Sequence, residues 1–395
     1  MTTSARTPTP GADPGAVGTW LAGVLDDERW ARCELSPLGA GRSNLTYRVL
    51  SPAGSVVLRR PPVGSVAETA HDMAREQRVI AALAGTDVPV PAVLAGHDGG
   101  TGGPTGSPAF VMELVDGVVP VDALPEGWAT TPAERSRLGY ALVDVLAALH
   151  AVDPEAVGLG DFGRPEGFTE RQIRRWRRQW DAARTDSNSD SDSDSDSNSG
   201  SASASDSNSG SASGDGSGAA GAVDAATEAE VTRLADRLAQ QLPTTQRHTI
   251  VHGDYRIDNC VFDAEDPGTI RAVLDWEMST LGDPLTDLGL LLVYWRQAGD
   301  DAVWRDAQRL PSPTGLPGFP TRAELVAAYA DRTGLDVAEL PWYVAFGTFK
   351  LAVVLAGILF RVRAGAVPAE MAEGLDGAVG PLVALGHHVL DGGSF

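Results

Sequence analysis

Three oxygen-bearing side chains in the second half of the chain have the types and spacing to do chemistry together. Asp254 and Asn259 lie in HGDYRIDN (His252–Asn259), directly after the apolar run Thr249-Ile250-Val251. Asp275 lies in RAVLDWEMSTLGDPLTDLG, behind the apolar run Ala272-Val273-Leu274. The first loop holds a carboxylate and an amide five residues apart, so one can face an acceptor while the other turns back to a cation. The apolar run before Asp275 reads as a buried strand that aims its carboxylate into a cleft. Such a set suits phosphoryl transfer to a hydroxyl. One carboxylate orients the attacking oxygen and accepts its proton, while a second carboxylate and an amide oxygen hold Mg²⁺ on the phosphates. Two unrelated turn aspartates would not be expected to keep this order behind a His-Gly pair.

The elements that must position these groups fall into two halves. Residues 1–15 read as a flexible tail, and Ala16–Leu25 has helical spacing. Cys33–Leu58 turns strand-like, with a hairpin of Leu45–Leu50 and Ser55–Arg59 about a turn at Ser51–Gly54. Ala67–Ala84 is expected to be a helix. VPVPAVLAG reads as an edge strand or extended loop, because prolines cannot serve a central ladder, and FVMELVDG as a short strand. Beyond it the chain is mostly helical, over Ala133–His150, Glu170–Trp180, Val231–Leu242, Pro284–Arg296 and Arg322–Leu390, with short strands around the two loops. Ser187–Gly218 contains only Ser, Asp, Asn, Gly and Ala, too little apolar surface to offset its ordering entropy, and is expected to be a disordered insertion. The division is therefore an N-lobe over 16–112 and a C-lobe over 113–395, with the insertion at 187–218.

Composition bounds the function. Of 395 residues, 43% are apolar and 21% charged, which is globular. The net charge of −22 argues against nucleic acid as a partner. Lys350 is the only lysine, so the other basic residues are arginine. Acidity with scarce lysine points to a halophilic protein, because self-repulsion is screened within about 3 Å at 1 M salt. Cys33 and Cys260 form no framework, which fits a reducing cytoplasm. The polar, Pro/Gly-rich start is not a signal peptide. Tyr343–Phe360 is the most membrane-like stretch, but with Lys350 near its middle it reads as a buried helix and not a span.

HGDYRIDN, LDWEMSTLGDPLTDL and RQIRRWRRQW resemble the aminoglycoside phosphotransferase/choline kinase family, relatives of the protein kinases. Within it the chain is most similar to the phosphotransferase domain at the N-terminus of large acyl-CoA dehydrogenases and to its free-standing microbial relatives. The resemblance covers about Leu35 to Leu390, interrupted by the Ser/Asp block. It implies an α+β, two-lobed protein-kinase-like fold: a small antiparallel-sheet N-lobe, a larger mainly helical C-lobe, and ATP with Mg²⁺ between them. By this likeness Asp254 is the catalytic base and Asn259 and Asp275 are the metal ligands. Asp287 is a buried anchor for the catalytic loop, and His252 is a packing residue and not a ligand.

On the nucleotide side, LGAGRSNLTYRV sits where a phosphate-covering loop belongs. Gly39 and Gly41 would let the backbone approach the triphosphate, and Ser43 and Asn44 would donate to it. Two glycines in a tight turn explain these letters equally, and the following strand pair favours the phosphate reading. Such folds carry a strand lysine paired with a helix glutamate. Here Arg59 of SVVLRRPP stands in its place, Arg60 is the alternative register, and Glu76 supplies the acid. Adenine would be read by the carbonyl of Glu113 and the N–H of Val115, with Met112 at the pocket's border.

The implied acceptor is a small-molecule hydroxyl, carried by a hydroxyacyl-CoA. Arg171, Arg174, Arg175, Arg177 and Arg178 would then capture an anionic acceptor, or else form a solvated face paired with acidic neighbours. Trp176 and Trp180 read as core contacts. An aminoglycoside acceptor suits the acidic balance but not the arginine helix. A pseudokinase that only binds nucleotide is the remaining alternative, supported by the missing lysine. Since the chain ends at Phe395, no dehydrogenase domain is expected to follow.

Overall fold

The computed structural model describes residues 9–38, 44–63, 72–100, 103–189, 223–308, 312–365, 369–372, 374–375 and 377–394. In its first half, β1 (Glu34–Pro37), β2 (Leu45–Ser51), β3 (Gly54–Arg60), β4 (Val93–Asp98) and β5 (Pro108–Glu113) form one antiparallel sheet in the order β1-β2-β3-β5-β4. The expected hairpin is β2–β3. Pro89 and Pro91 bring no N–H to a ladder, so β4 begins after them and takes the sheet edge.

Side chains alternate across a strand, and each face of this sheet has its own helix. Val56, Leu58, Ala109 and Val111 pack with Val17 and Leu21 of α1 (Pro14–Val24). Val57, Phe110 and Met112 pack on the other face with Met73, Val79 and Leu83 of α2 (Met73–Leu83). This alternation sends Arg59 to the α2 face. It sends Arg60 to the α1 side, where its guanidinium donates to the Gly11 carbonyl and to Pro61 O at 2.9 Å.

Two boundaries differ from expectation. The tail assigned to 1–15 is packed over its described part: Ala12 is buried, Tyr47 donates to Pro10 O at 2.7 Å, and Asp13 caps α1 by accepting from Ala16 N at 2.8 Å. Pro14 opens the helix because its fixed φ suits the first turn and its missing N–H would have been an orphan there. Helix α2 starts at Met73, capped by Asp72, and not at Ala67; residues 67–71 lie outside the described residues.

The second half contains α3 (Pro132–Ala151), α4 (Phe168–Ser189), α5 (Ala225–Gln240), α6 (Leu285–Tyr294), α7 (Ala302–Ala307), α8 (Arg322–Thr333), α9 (Leu340–Arg363) and α10 (Val379–Leu390). Helix α9 packs against α4, α5, α6 and α10. Its most apolar stretch is long enough to cross a membrane, but 83% of that window is buried inside the protein, as a core helix requires. Trp176 and Trp180 of α4 share the core with Val231, Leu234 and Leu238 of α5. The expected insertion thus interrupts a packed helix pair; α4 reaches Ser189, and residues 190–218 lie outside the described residues. Cys33 and Cys260 are buried free thiols.

Two small antiparallel pairs complete the fold: β6 (Thr249–Val251) with β9 (Thr280–Gly282), and β7 (Cys260–Phe262) with β8 (Ile270–Val273). They carry the two loops that hold Asp254, Asn259 and Asp275.

Candidate active site

The loop after β6 is held by one buried carboxylate. Asp287, in the first turn of α6, accepts from His252 N at 2.7 Å and Gly253 N at 2.8 Å. His150 Nε2 lies 3.3 Å from the same carboxylate. Burial alone would raise the Asp287 pKa, but its hydrogen bonds with His150 and the His252 N–H outweigh it and hold the carboxyl below its ordinary value. Gly253 has φ +85°, and a Cβ there would meet Met278 O at 2.6 Å, so the sharp turn before Asp254 requires glycine.

His252 ties this loop to the other one. Its Nε2 donates to Leu274 O at 2.9 Å while its Nδ1 accepts from Asp254 N at 3.2 Å. The ring is fully buried 4.7 Å from the Trp276 ring, the packing role expected of it. Leu274 N donates to Asn259 O at 2.8 Å, so the β7–β8 pair brings Asn259 beside Asp275. Asp275 itself has φ +65°, a left-handed conformation uncommon outside glycine that turns the chain sharply at the end of β8. Asn259 Nδ2 donates to Asp254 O at 2.8 Å, which leaves Oδ1 as the atom that could ligate a metal. An amide oxygen and a carboxylate are hard ligands suited to Mg²⁺. Among the described residues no group of three His, Cys, Asp or Glu could hold a metal ion, so phosphate and water oxygens would have to complete any such site.

Arg59 joins the lobes. Its Nε lies 3.2 Å from Glu76 Oε1 and its Nη2 lies 3.1 Å from Asp275 Oδ1. The strand-to-helix pair expected from the sequence is therefore formed, with arginine in the lysine's place. Burial pushes the Glu76 carboxyl up to about 8, although the Arg59 guanidinium pulls it down. Nε and Oε1 are close enough to pair but not aligned as a hydrogen bond.

Asn44 was expected to donate to phosphate. Its Nδ2 donates to Glu277 Oε2 at 3.0 Å and to Glu76 Oε2 at 3.5 Å. Carboxylates withdrawn from water need donors, and Asn44 answers that need between the lobes. Gly39, Gly41 and Ser43 lie outside the described residues. Glu113 ends β5, with its N–H donating to Ala92 O at 2.9 Å; Val115 follows in the connection to α3, and neither side chain borders the cleft. Met112 is buried in the core of the α2 face.

The cleft encloses about 440 Å³, and Asn44, Arg59, Asp254, Asp275 and Glu277 border it. Helix α9 also borders it, with Leu351, Val354, Leu355 and Ile358 and with Lys350 and Arg361 before and after them in sequence. Arg256 also borders it, 2.9 Å from Asp258 and 3.6 Å from Asp254, with its guanidinium over the Tyr294 ring. Sequence reasoning assigned no role to Arg256, Glu277, Lys350 or Arg361. Arg256 and Glu277 stand inside the two motifs, and the solitary lysine was a visible signal. Nothing in the pattern of α9 marked Arg361.

The arginine helix is mostly occupied at home. Arg171 donates to the carbonyls of Arg164 and Glu166, Arg174 pairs with Glu170, and Arg177 pairs with Asp236 of α5. Arg175 lies over the Trp176 ring and borders a second hollow shared with Lys350.

Comparison with known proteins agrees with this geometry. The model of a family described as "Phosphotransferase enzyme family" matches residues 34–325. Mouse acyl-CoA dehydrogenase family member 10 is 30% identical over 359 residues, 91% of this chain and 29% of its own length. Human acyl-CoA dehydrogenase family member 11 is 29% identical, covering 86% of this chain and 37% of its own. The chain therefore spans about a third of the length of these relatives. A solved Ralstonia eutropha protein, provisionally described as an aminoglycoside phosphotransferase, superposes with a TM-score of 0.70 at 28% identity, covering 97% of this chain and all of its own. A Cryptosporidium parvum choline kinase shares the fold, with a TM-score of 0.54 at 11% identity over 91% of this chain and 90% of its own. The two lobes, the paired loops and the family match lead to one assignment: this chain belongs to the phosphotransferase enzyme family, with a protein-kinase-like fold.

Proposed function

We propose that the protein is an ATP- and Mg²⁺-dependent kinase that phosphorylates a hydroxyl of a hydroxyacyl-CoA. The observation that carries the reading is the meeting of Asp254, Asp275 and Arg59 in one cleft, with Asn259 stitched to the same two loops. The acceptor oxygen attacks the γ-phosphorus, its proton passes to Asp254, and the bond from the γ-phosphorus to its bridging oxygen breaks to release ADP. Arg59 would hold the phosphates. Asn259 and Asp275 would hold Mg²⁺, which neutralises phosphate charge when bound. Glu113 and Val115 would read adenine through backbone groups. Catalysis rests on positioning and charge neutralisation.

The acceptor reading rests on α9. Its cleft-facing stripe is hydrocarbon with Arg361 at one end, which suits an apolar chain carrying an anionic group and opposes a polycationic aminoglycoside. The acyl-CoA dehydrogenase names of the relatives point the same way. The pseudokinase alternative loses its best support because Arg59 makes the pair that the absent lysine would make. The net charge is read as adaptation to high salt, and the buried thiols fit a reducing cytoplasm.

ADP release measured with ATP and Mg²⁺ in molar KCl should be stimulated by hydroxyacyl-CoAs and not by kanamycin. Stimulation by kanamycin alone would overturn the acceptor, and ATP binding with no turnover on any of them would favour the binding module. Arg59→Met should weaken ATP binding about tenfold or more, the loss of a charge-assisted contact worth about 1.4 kcal/mol. Titration calorimetry showing unchanged affinity would remove Arg59 from the phosphate site.

A further inference from the structure

Thirty of the chain's 31 cationic side chains are arginine, and the one lysine sits in the interior of α9 against the catalytic loop. Lys350 is buried, and its Nζ donates to the Gly253 carbonyl. The Trp176 ring centroid lies 5.7 Å away. Among the described residues no carboxylate lies within ion-pairing distance of Nζ, so the ammonium is withdrawn from water with a carbonyl and a ring face as its near contacts. Such placement is costly and is not explained by packing, because a hydrocarbon would fill the same space without the desolvation penalty.

The carbonyl that Lys350 holds belongs to the peptide immediately before Asp254. The N–H groups of His252 and Gly253 are fixed by Asp287, and the N–H of Asp254 by His252. The Gly253 carbonyl is the remaining handle on this peptide, and its holder comes from α9, which lines the cleft.

We propose that Lys350 is a positioning residue: its ammonium clamps the Gly253–Asp254 peptide from the α9 side and so sets the aim of the Asp254 carboxylate. The proposal deepens the kinase reading, because Asp254 is the base in that reading. Without the clamp the peptide plane can rotate about the flexible Gly253, and the base leaves its productive geometry, where small displacements cost large factors in rate.

The test compares Lys350→Met, which keeps the stem without the charge, with Lys350→Arg, which keeps a cationic donor. Two readouts are used on the full chain: amide hydrogen exchange in peptides covering 249–259, and the steady-state kinetics of Mg²⁺-ATP hydrolysis with water as acceptor. Lys350→Met should exchange at least about tenfold faster at residues 253–256 and lose about 100-fold in kcat with KM for ATP within about twofold. Lys350→Arg should recover most of both. Exchange and kcat both within twofold of the parent in Lys350→Met would overturn the proposal, as would equal loss in Lys350→Arg and Lys350→Met. If Lys350→Met fails to fold, Lys350→Gln takes its place, again with Lys350→Arg as the charged control. A parent protein inert toward ATP would count against the kinase reading alone, and hydrogen exchange would still decide the clamp.

Discussion

Asp254→Asn should lower kcat for phosphoryl transfer about 1,000-fold while leaving KM for ATP within about threefold, since general-base groups typically contribute factors of 10² to 10⁴. The substitution keeps the volume and a hydrogen-bonding partner for Asn259 Nδ2, which now lies 3.3 Å from Asp254 Oδ2. It removes the group that can take the acceptor's proton. The loop itself is held through Asp287, His252 and the backbone and not by this carboxylate, so the melting temperature should stay within a degree or two. The measurement is coupled ADP release from the full chain beside a thermal melt. More than a tenth of the parent kcat in a folded Asp254→Asn protein would exclude Asp254 as the base.

The second large effect is on stability. Asp287→Ala strips the acceptor from two buried backbone N–H groups and from His150, in a place where the Asp287 side chain is 1% exposed. Breaking one partner of a buried charged network costs about 3–5 kcal/mol, and at about 2–4 °C per kcal/mol that is a fall in melting temperature on the order of 10 °C. The loss should carry a pH signature. Burial would raise this carboxyl, but the His150 and His252 interactions hold it below its ordinary value of 3.8. A depressed folded-state pKa means that the unfolded chain binds the proton more readily. The stabilisation is therefore complete well above pH 3.8 and is lost as pH falls through and below that value. Urea midpoints of parent and Asp287→Ala protein should differ by a constant amount near neutrality and converge below pH 3.8. A gap that persists unchanged into acid would show that Asp287 acts through packing and not through its charge.

The parts of the site that could be read without coordinates were local. HGDYRIDN holds Asp254 and Asn259 within one loop, and the apolar run before Asp275 specifies a strand that delivers it. Period-two alternation in β3 separates Arg59 from Arg60, although the covering helices were needed to show which face meets Glu76. Prolines kept β4 to the edge for a reason visible in single residues. The start of α2 follows a local signal, the Asp72 cap, whereas residues 9–13 are held by a contact with the sheet that no local pattern shows.

The chain's own order of residues determined that two carboxylates and an amide would stand on adjacent loops between a strand-rich and a helical half. It also determined that the longest apolar helix would be a core helix, since a lysine interrupts its middle. Only the tertiary structure decided that Asn44 donates to Glu277 and Glu76, that Arg177 pairs with Asp236, and that Lys350 reaches the peptide before Asp254. These partners lie tens to hundreds of residues away along the chain. Hydrogen bonds and ion pairs at that separation follow from how the helices and the sheet pack, and no local propensity or spacing encodes them.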